Sequence, residues 1–228
     1  MMRQSIARDD TSSAATLTRA LLLGSAVAGP LYVLVGVIET LTRPGYDPTR
    51  HDLSLMSNGD WGWIHSSLLV LTGVLTCAGA VGMWRVLHSS PGGTWGPRLV
   101  GLYGLGLIGA GFFSADPALG FPPGTPVDAR AVSWHGLLHI ICGGIGFLGL
   151  IAACFIFARR FAAQGLRGWM VFSVVTGVVY FAAFVGIAVG SGAGSVIATV
   201  VILAFDVAVV LGWTWLSALS TKLLTAHA

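Results

Sequence analysis

Long runs of apolar residues alternate with short polar segments along the whole chain. A helix needs about 20 mainly apolar residues to cross the roughly 30 Å hydrocarbon core of a bilayer. Six runs have this length, and they cover residues 16–40, 61–84, 97–116, 132–158, 169–190 and 195–219. The runs are too long and too continuous for the alternating strands of a membrane barrel. The pattern therefore predicts an all-α, polytopic bundle of six transmembrane helices that forms a single membrane domain over residues 1–228.

The first run could also be a targeting segment. Arg3 and Arg8, an apolar stretch and the small residues Ala26-Val27-Ala28 together resemble a secretory signal peptide. However, the apolar run continues to Ile38, well beyond the 7–15 residues of a signal core. We therefore predict a retained first span, in which Pro30 is tolerated because neighbouring helices can compensate for it.

The composition supports a membrane location. Hydrophobic residues make up 55% of the 228 residues, charged residues only 9%, and the mean hydropathy is +0.83. Soluble domains carry about 25% charged residues, so this chain is not an ordinary soluble enzyme. A single Lys among the 12 basic residues gives no basic face that could follow a nucleic acid. The predicted partner is the lipid bilayer, and the oligomeric state stays open.

The distribution of Lys and Arg predicts the orientation in the membrane, because these residues accumulate on the cytoplasmic side. One side holds Arg3, Arg8, Arg19, Arg85, Arg98, Arg159, Arg160, Arg167 and Lys222. The other side holds Arg43, Arg50 and Arg130. Both termini are therefore predicted to be cytoplasmic, and the two longer polar segments, 41–60 and 117–131, to be external.

Acids and histidines concentrate at the predicted external ends of the helices, more than the orientation rule requires. These residues are Glu39, Asp47, Asp52, Asp60, Asp116 and Asp128, with His51, His65, His135 and His139. The concentration predicts that an outward-facing polar site is assembled there.

His135 and His139 are the predicted metal ligands of this site. Their spacing of four residues places them on one face of a helix with Cβ atoms about 6 Å apart, and neutral imidazoles suit Zn or a similar transition metal. His65 or Asp116 could complete the ligand set. The alternative is a pair of metal-free histidines that bind loop carbonyls, and for His65 an interfacial anchor.

Asp116, Asp52 and Ser54 are the predicted catalytic residues. Asp116 is placed between the histidine segments, since Pro117 should end the third span there. Ser54 follows Asp52 by two residues, which also fits simple turn or capping chemistry. Asp116 could likewise be a helix-end carboxylate that is solvated or paired with Arg50 or Arg130.

Asp206 and the glycines of two spans are further features. An acid within an apolar span is by default a functional candidate, although a protonated Asp206 that is hydrogen-bonded between helices is the alternative. Glycines recur in spans three and four at Gly101, Gly104, Gly106, Gly109, Gly111, Gly143, Gly144, Gly146 and Gly149. Small residues allow close approach of helix backbones, so these two spans are predicted to touch each other or a common neighbour.

Three ordered motifs resemble one known family. They are Pro-Gly-Tyr-Asp-Pro at 44–48 with Leu-Ser-Leu at 53–55, Phe-Ser-Ala-Asp-Pro at 113–117, and Ser-Trp-His-Gly-Leu-Leu-His at 133–139. In these motifs and in helix number the chain resembles the six-helix membrane family catalogued as domain of unknown function 998, over roughly residues 20–218. The resemblance implies an integral protein of a bacterial or archaeal plasma membrane and implies no activity or cofactor.

A more distant likeness is to membrane hydrolases of the alkaline ceramidase and adiponectin-receptor type, which combine Ser, Asp and three His around zinc. Those proteins have seven spans with the His-x-x-x-His motif in the last, whereas here it opens the fourth of six, so the likeness is one of chemistry. The leading hypothesis is a metal-dependent hydrolase of lipid amide or ester bonds. The alternatives are a transporter or binding protein for a small solute or lipid of the outer leaflet that uses Asp206, and a non-catalytic accessory subunit.

Overall fold

The protein is a bundle of six long helices joined by short segments. The computed structural model describes residues 2–90, 92–129, 131–190 and 196–226, with side chains described from residue 13 onward. The helices are α1 (Met2–Thr42), α2 (Gly62–Leu87), α3 (Trp95–Phe112), α4 (Trp134–Ala163), α5 (Arg167–Gly190) and α6 (Val196–Ala226). A short 3-10 helix, Leu53–Ser57, lies between α1 and α2. The predicted all-α bundle is confirmed.

Five of the helices are long and apolar enough to cross a membrane: Ser13–Thr42 of α1, and α2, α4, α5 and α6. α3 has 18 residues and carries Pro97 and Arg98 in its first turn. It ends at Phe112 because the backbone becomes extended at Phe113, before the break that Pro117 was expected to impose. The protein is thus an integral membrane protein by five helices, and the count of six spans, like the orientation of the termini, stays a prediction.

The six helices form a closed, up-and-down ring. Each helix packs against its neighbours in the chain, and α6 returns to pack against α1. Neighbouring helices run antiparallel: Gly106 in the second half of α3 meets Gly146 in the first half of α4, and Gly144 in the first half of α4 meets Phe184 in the second half of α5. The C-terminal ends of α1, α3 and α5 therefore lie with the N-terminal ends of α2, α4 and α6. We call this side of the bundle the loop end.

Away from the loop end, large side chains fill the centre of the ring. Trp213, Trp215, Phe157, Leu150 and Leu216 are all essentially inaccessible. These side chains fill the centre of the bundle away from the loop end, and the cavity described below lies nearer the loop end, where the predicted polar residues are.

Glycine contacts fix α3 between α2 and α4. A Cβ on Gly106 would lie 2.6 Å from both the Cys142 carbonyl oxygen and the Gly146 Cα, and a Cβ on Gly104 would lie 2.8 Å from the Gly73 carbonyl oxygen. Backbones this close leave no room for any side chain. The predicted contact between the third and fourth helices is confirmed.

Gly106→Ala should therefore destabilise the bundle by about 1–3 kcal/mol, the usual cost of overpacking a tight interface. Gly143→Ala is the matched control, because a Cβ on Gly143 meets no atom within 4 Å. Thermal unfolding in detergent measures the difference, and equal midpoints for the two variants would contradict the close α3–α4 contact.

Candidate functional site

A cavity of about 440 Å³ lies inside the ring near the loop end. All six helices and the segment between α1 and α2 contribute to its wall, and its size is in the range of small-molecule sites. Its polar lining residues are Tyr32, Asp52, Ser54, His65, Tyr103 and His139. Three of the predicted site residues on separate segments, Ser54, His65 and His139, thus share one cavity with Asp52.

Two loops at the loop end, 43–61 and 113–129, are fastened to each other, and the first of them contributes to the cavity wall. His51 accepts a hydrogen bond at Nδ1 from the Asp47 N–H (2.9 Å), and its Nε2 donates to the Leu119 carbonyl oxygen (3.1 Å). The buried Phe121 ring lies under the Arg43 guanidinium, at 5.9 Å from its carbon. Arg43 also donates to the carbonyl oxygens of Met56 and Asn58. The first loop is therefore held in one conformation over the helix ends.

A buried pair of Glu39 on α1 and His65 on α2 lies in the wall of the cavity. The Glu39 Oε2 and His65 Nδ1 are 2.9 Å apart, and the side chains are only 4% and 1% exposed. The carboxylate requires a proton on Nδ1, so Nε2 of a neutral His65 carries the lone pair. Nε2 has no hydrogen-bond partner among the described residues and is not sealed off from solvent. Because His65 lines the cavity, this nitrogen is reached from the cavity.

His139 on α4 has its tautomer fixed in the same way. Its Nδ1 lies 2.9 Å from the Ala110 carbonyl oxygen and 2.8 Å from that of Phe113. Two acceptors require Nδ1–H to be the donor, so Nε2 is again the free nitrogen of a neutral ring. The bonds satisfy carbonyls at the end of α3 and turn His139 toward the cavity, which it lines. His139 thus bonds to carbonyls, as the metal-free alternative expects, although one of them, that of Ala110, belongs to α3.

Asp52 and Ser54 reach the cavity from the first loop. Asp52 immediately precedes the 3-10 helix, and its Oδ1 is buried without a hydrogen-bond partner in the described part of the chain. Burial raises the pKa of Asp52 from 3.8 to about 6. A carboxyl group with this pKa can both donate and accept a proton near neutral pH. Ser54 lines the same cavity.

Asp116 and His135 do not line the cavity. The Asp116 Oδ2 accepts a hydrogen bond from the Ser133 N–H (2.8 Å), so this carboxylate fastens the second loop to the start of α4. His135 is exposed and lies against Trp134. His135 is one turn nearer the loop end than His139 and so lies beyond the α3 carbonyls that hold His139.

The predicted ligand set is therefore not brought together, since His65 and His139 line the cavity and His135 does not. The described residues contain no group of three His, Cys, Asp or Glu side chains that could hold a metal ion. Among the described residues the ion pair that is found is Glu39–His65, and Asp116 forms none with Arg50. Arg130, the other suggested partner of Asp116, lies outside the described residues.

Asp206 lies in the first third of α6 and is not part of the cavity wall. Its Oδ1 is buried and has no hydrogen-bond partner within the described ranges. The predicted hydrogen bond to another helix is therefore not found at this oxygen.

Sequence reasoning missed the role of Glu39 and Tyr32. Glu39 is one of the acids at the helix ends, but 26 positions separate it from His65 and only the packing of α1 on α2 brings them together. Tyr32 stacks on Trp213 with ring centroids 5.1 Å apart and meets the His65 ring edge-on at 6.2 Å. The sequence signal that could have indicated this pair is an acid near the end of one helix and a histidine near the start of the next.

Asp116→Ala should lower stability by about 0.5–2 kcal/mol, the usual cost of losing a side-chain acceptor at a helix start. Asp116→Asn keeps an acceptor oxygen for the Ser133 N–H and should recover most of the loss. Thermal unfolding of both variants measures this. A stable Asp116→Ala protein that has lost all activity would instead return Asp116 to the catalytic group.

The sequence profile of a family described as "Protein of unknown function (DUF998)" matches residues 26–222. No curated protein and no solved structure matches the chain.

Proposed function

The chain belongs to the DUF998 family, and we propose that it is a membrane-embedded hydrolase that cleaves an ester or amide bond of a lipid. The observation that carries the proposal is the buried Glu39–His65 pair, whose free imidazole nitrogen is reached from a cavity inside a membrane bundle. A carboxylate that holds one histidine nitrogen while the other faces a binding cavity is the arrangement of a general base.

In the proposed reaction Ser54 is the nucleophile and His65 the base. His65 Nε2 takes the Ser54 proton as the hydroxyl oxygen attacks the substrate carbonyl, and Glu39 stabilises the imidazolium. The imidazolium then protonates the leaving alcohol or amine, which leaves an acyl group on Ser54. His65 next takes a proton from water, whose oxygen attacks the acyl carbonyl, and the acid is released as Ser54 recovers its proton.

Asp52 and His139 have supporting roles in this proposal. Asp52, protonated in a fraction of molecules near neutral pH because burial raises its pKa to about 6, donates a hydrogen bond to the carbonyl oxygen as negative charge develops there. Neutral His139 accepts a hydrogen bond at Nε2 from a substrate hydroxyl or amide N–H. The predicted zinc ion is assigned no step, because His135 lies away from the cavity.

Labelling with a fluorophosphonate probe tests the nucleophile directly, because the probe reacts with activated serines. Full-length protein in lipid nanodiscs should be labelled at Ser54, and mass spectrometry identifies the modified residue. Ser54→Ala should abolish labelling, while Ser67→Ala on α2 is a control hydroxyl removal. Labelling of Ser54 that is unchanged in His65→Gln would contradict the role of His65 as its base.

Turnover tests the reaction class. The same nanodiscs are incubated with acyl esters and acyl amides of a fluorescent leaving group, and product release is compared with that of His65→Gln. The proposal expects release that depends on His65. Release that is equal for both proteins with every substrate would reject a hydrolase.

Proton-coupled transport is the second candidate, and it is favoured by the buried Asp206 Oδ1, which has no hydrogen-bond partner among the residues that the structure describes. A buried carboxyl without a partner is the kind of group that binds and releases a proton during transport. In liposomes with an imposed proton gradient, proton flux that appears only with a given solute and disappears in Asp206→Asn would support transport. Flux that is unchanged in that variant would exclude Asp206 as the coupling group.

A further inference from the structure

The cavity has one polar end and one apolar end. His65, Asp52 and Ser54 lie toward the loop end. The lining deeper in the bundle is mainly apolar, with the Tyr32 and Tyr103 side chains among the residues Leu107, Gly146, Phe147, Phe184, Phe205 and Val209. No Lys or Arg lines the cavity within the described residues. An amphipathic molecule fits this polarity if its polar group is at His65 and its apolar part points toward the centre of the bundle.

Glycines of α4 keep the apolar end open. A Cβ on Gly143 would meet no atom within 4 Å, and one on Gly144 would meet only the Phe184 ring at 3.8 Å. At Gly106 and Gly104, by contrast, neighbouring backbone occupies the space that a Cβ would need. The lining of α4 from His139 to Phe147 extends for about 12 Å along the helix axis at 1.5 Å per residue. We call this part of the cavity, along α4, the slot.

The slot is open to the lipid-facing surface between α4 and α5. Ile140 of α4 lines the cavity and is 61% exposed, and Ala188 of α5 lines it and is also exposed. The surface next to them is apolar, because Leu137 and Ile141 on α4 and Val185 on α5 are exposed. Within the described part of the chain the cavity is therefore continuous with the surface that faces the acyl chains of the bilayer.

We infer that the substrate is a membrane lipid that enters sideways between α4 and α5 and lays one acyl chain over Gly143 and Gly144. This inference rests on the proposed function for the chemistry at the polar end and adds the route by which the lipid enters and the place where its acyl chain lies. In this arrangement the acyl chain contacts Phe147, Phe184 and Ile187, and its carbonyl end lies at the level of His65. Gly143 and Gly144 are then specificity-determining positions, because any larger residue shortens the slot.

A photoreactive lipid tests this inference without requiring turnover. Full-length protein is placed in phosphatidylcholine nanodiscs that contain a phosphatidylcholine with a diazirine in its acyl chain. Irradiation and peptide mapping should locate adducts on the cavity-facing residues of α4 and α5, such as Phe147 and Phe184, above the general labelling of the exposed helix faces.

Two variants narrow the slot in different ways. Gly143→Leu fills the apolar end, and Ile140→Trp obstructs the opening from an exposed position that has little effect on folding. Each should lower cavity labelling about tenfold, since each methylene removed from an apolar site costs roughly a factor of four in binding. Gly168→Leu is the control, because Gly168 is an open glycine at the opposite end of α5. It should label like the original protein.

The outcomes separate the two proposals. Cavity adducts that are lost in Gly143→Leu and Ile140→Trp but kept in His65→Gln support the lipid route, even if no hydrolysis occurs. Hydrolysis that depends on His65, together with labelling that Gly143→Leu and Ile140→Trp leave unchanged, would overturn the route and leave the proposed reaction standing. Adducts confined to the lipid-facing residues of α4 and α5 would also overturn the lipid route.

Discussion

Replacing His65 by Gln should lower kcat/KM for ester hydrolysis by about 10²–10⁴-fold, the usual contribution of a positioned general base. Gln can still donate a hydrogen bond to the Glu39 Oε2, which His65 holds at 2.9 Å, but it cannot accept the Ser54 proton. The buried carboxylate thus keeps a partner, and the bundle should remain folded. The loss should fall on kcat, because the imidazole acts on the reacting proton and does not bind the acyl chain.

Glu39→Gln should produce a loss of similar size by a different route. The Gln amide can present its NH₂ to His65 Nδ1, which favours the tautomer with the proton on Nε2. That tautomer has no lone pair at the nitrogen reached from the cavity, so its basicity there is lost. Glu39→Asp, which shortens the side chain, should leave a partial activity.

His135→Gln is the matched control for both substitutions, because it removes an imidazole from the same end of the bundle but outside the cavity. It should retain the activity of the original protein. Turnover of acyl esters and thermal unfolding, measured on the same preparations, separate catalysis from folding. A folded His65→Gln protein with full activity would remove His65 from the mechanism, and an inactive His135→Gln would return the predicted metal pair to consideration.

The fold was predictable because the bilayer imposes strong rules on a sequence. Apolar runs of sufficient length gave all six helices, and the glycines of spans three and four correctly indicated their contact. The predicted end of α3, at Asp116, was wrong by a few residues, because the helix ends at Phe112. Pro117 restricts only the residue before it, whereas the helix stops earlier, where His139 binds the carbonyls of Ala110 and Phe113. A tertiary contact of this kind leaves no local signal.

The site was predictable in position but not in pairing. The concentration of acids and histidines indicated the end of the bundle near which the cavity lies, and Ser54, Asp52, His65 and His139 share that cavity. The spacing of His135 and His139 suggested a common face, but a helix face is wide and only His139 meets the end of α3. Glu39 was assigned no role because its partner is set by how α1 packs on α2, which spacing along one helix does not reveal.

Replacing Asp52 by Asn should make the protein more stable above pH 6. Burial raises the pKa of Asp52 from 3.8 to about 6 in the folded protein, so the folded state binds this proton more tightly than the unfolded state does. The stability that belongs to the protonated carboxyl is complete below pH 3.8 and is lost as the pH rises through about 6. Above that pH the ionised, buried carboxylate costs up to about 3 kcal/mol, at 1.36 kcal/mol per pKa unit.

Asn has nearly the shape of the protonated acid and cannot ionise, so it removes this cost. At pH 7.5 the variant should be more stable by up to about 3 kcal/mol, and near pH 4 the two proteins should unfold at nearly the same temperature. Asp47→Asn is the control, because the Asp47 carboxylate is bonded to Thr49 and its pKa is lowered. That substitution should cost stability at pH 7.5 and not add it. An Asp52→Asn protein without a gain above pH 6 would contradict the buried, ionised state of Asp52.

A second variant, Asp52→Leu, compared with Asp52→Asn, distinguishes a functional carboxyl from a structural one. The ionised Asp52 lowers the stability of the folded protein at neutral pH. Its Oδ1 has no hydrogen-bond partner among the described residues that would offset this cost. Residues that lower the stability of the folded protein are typical of catalytic and binding sites. We therefore expect Asp52→Leu, which can neither ionise nor donate, to lose about tenfold or more in kcat, as the loss of one hydrogen-bond donor to a developing oxyanion does, whereas Asp52→Asn keeps an N–H donor and should keep its turnover. A folded Asp52→Leu protein with full turnover would place Asp52 in the wall of the cavity and outside its chemistry.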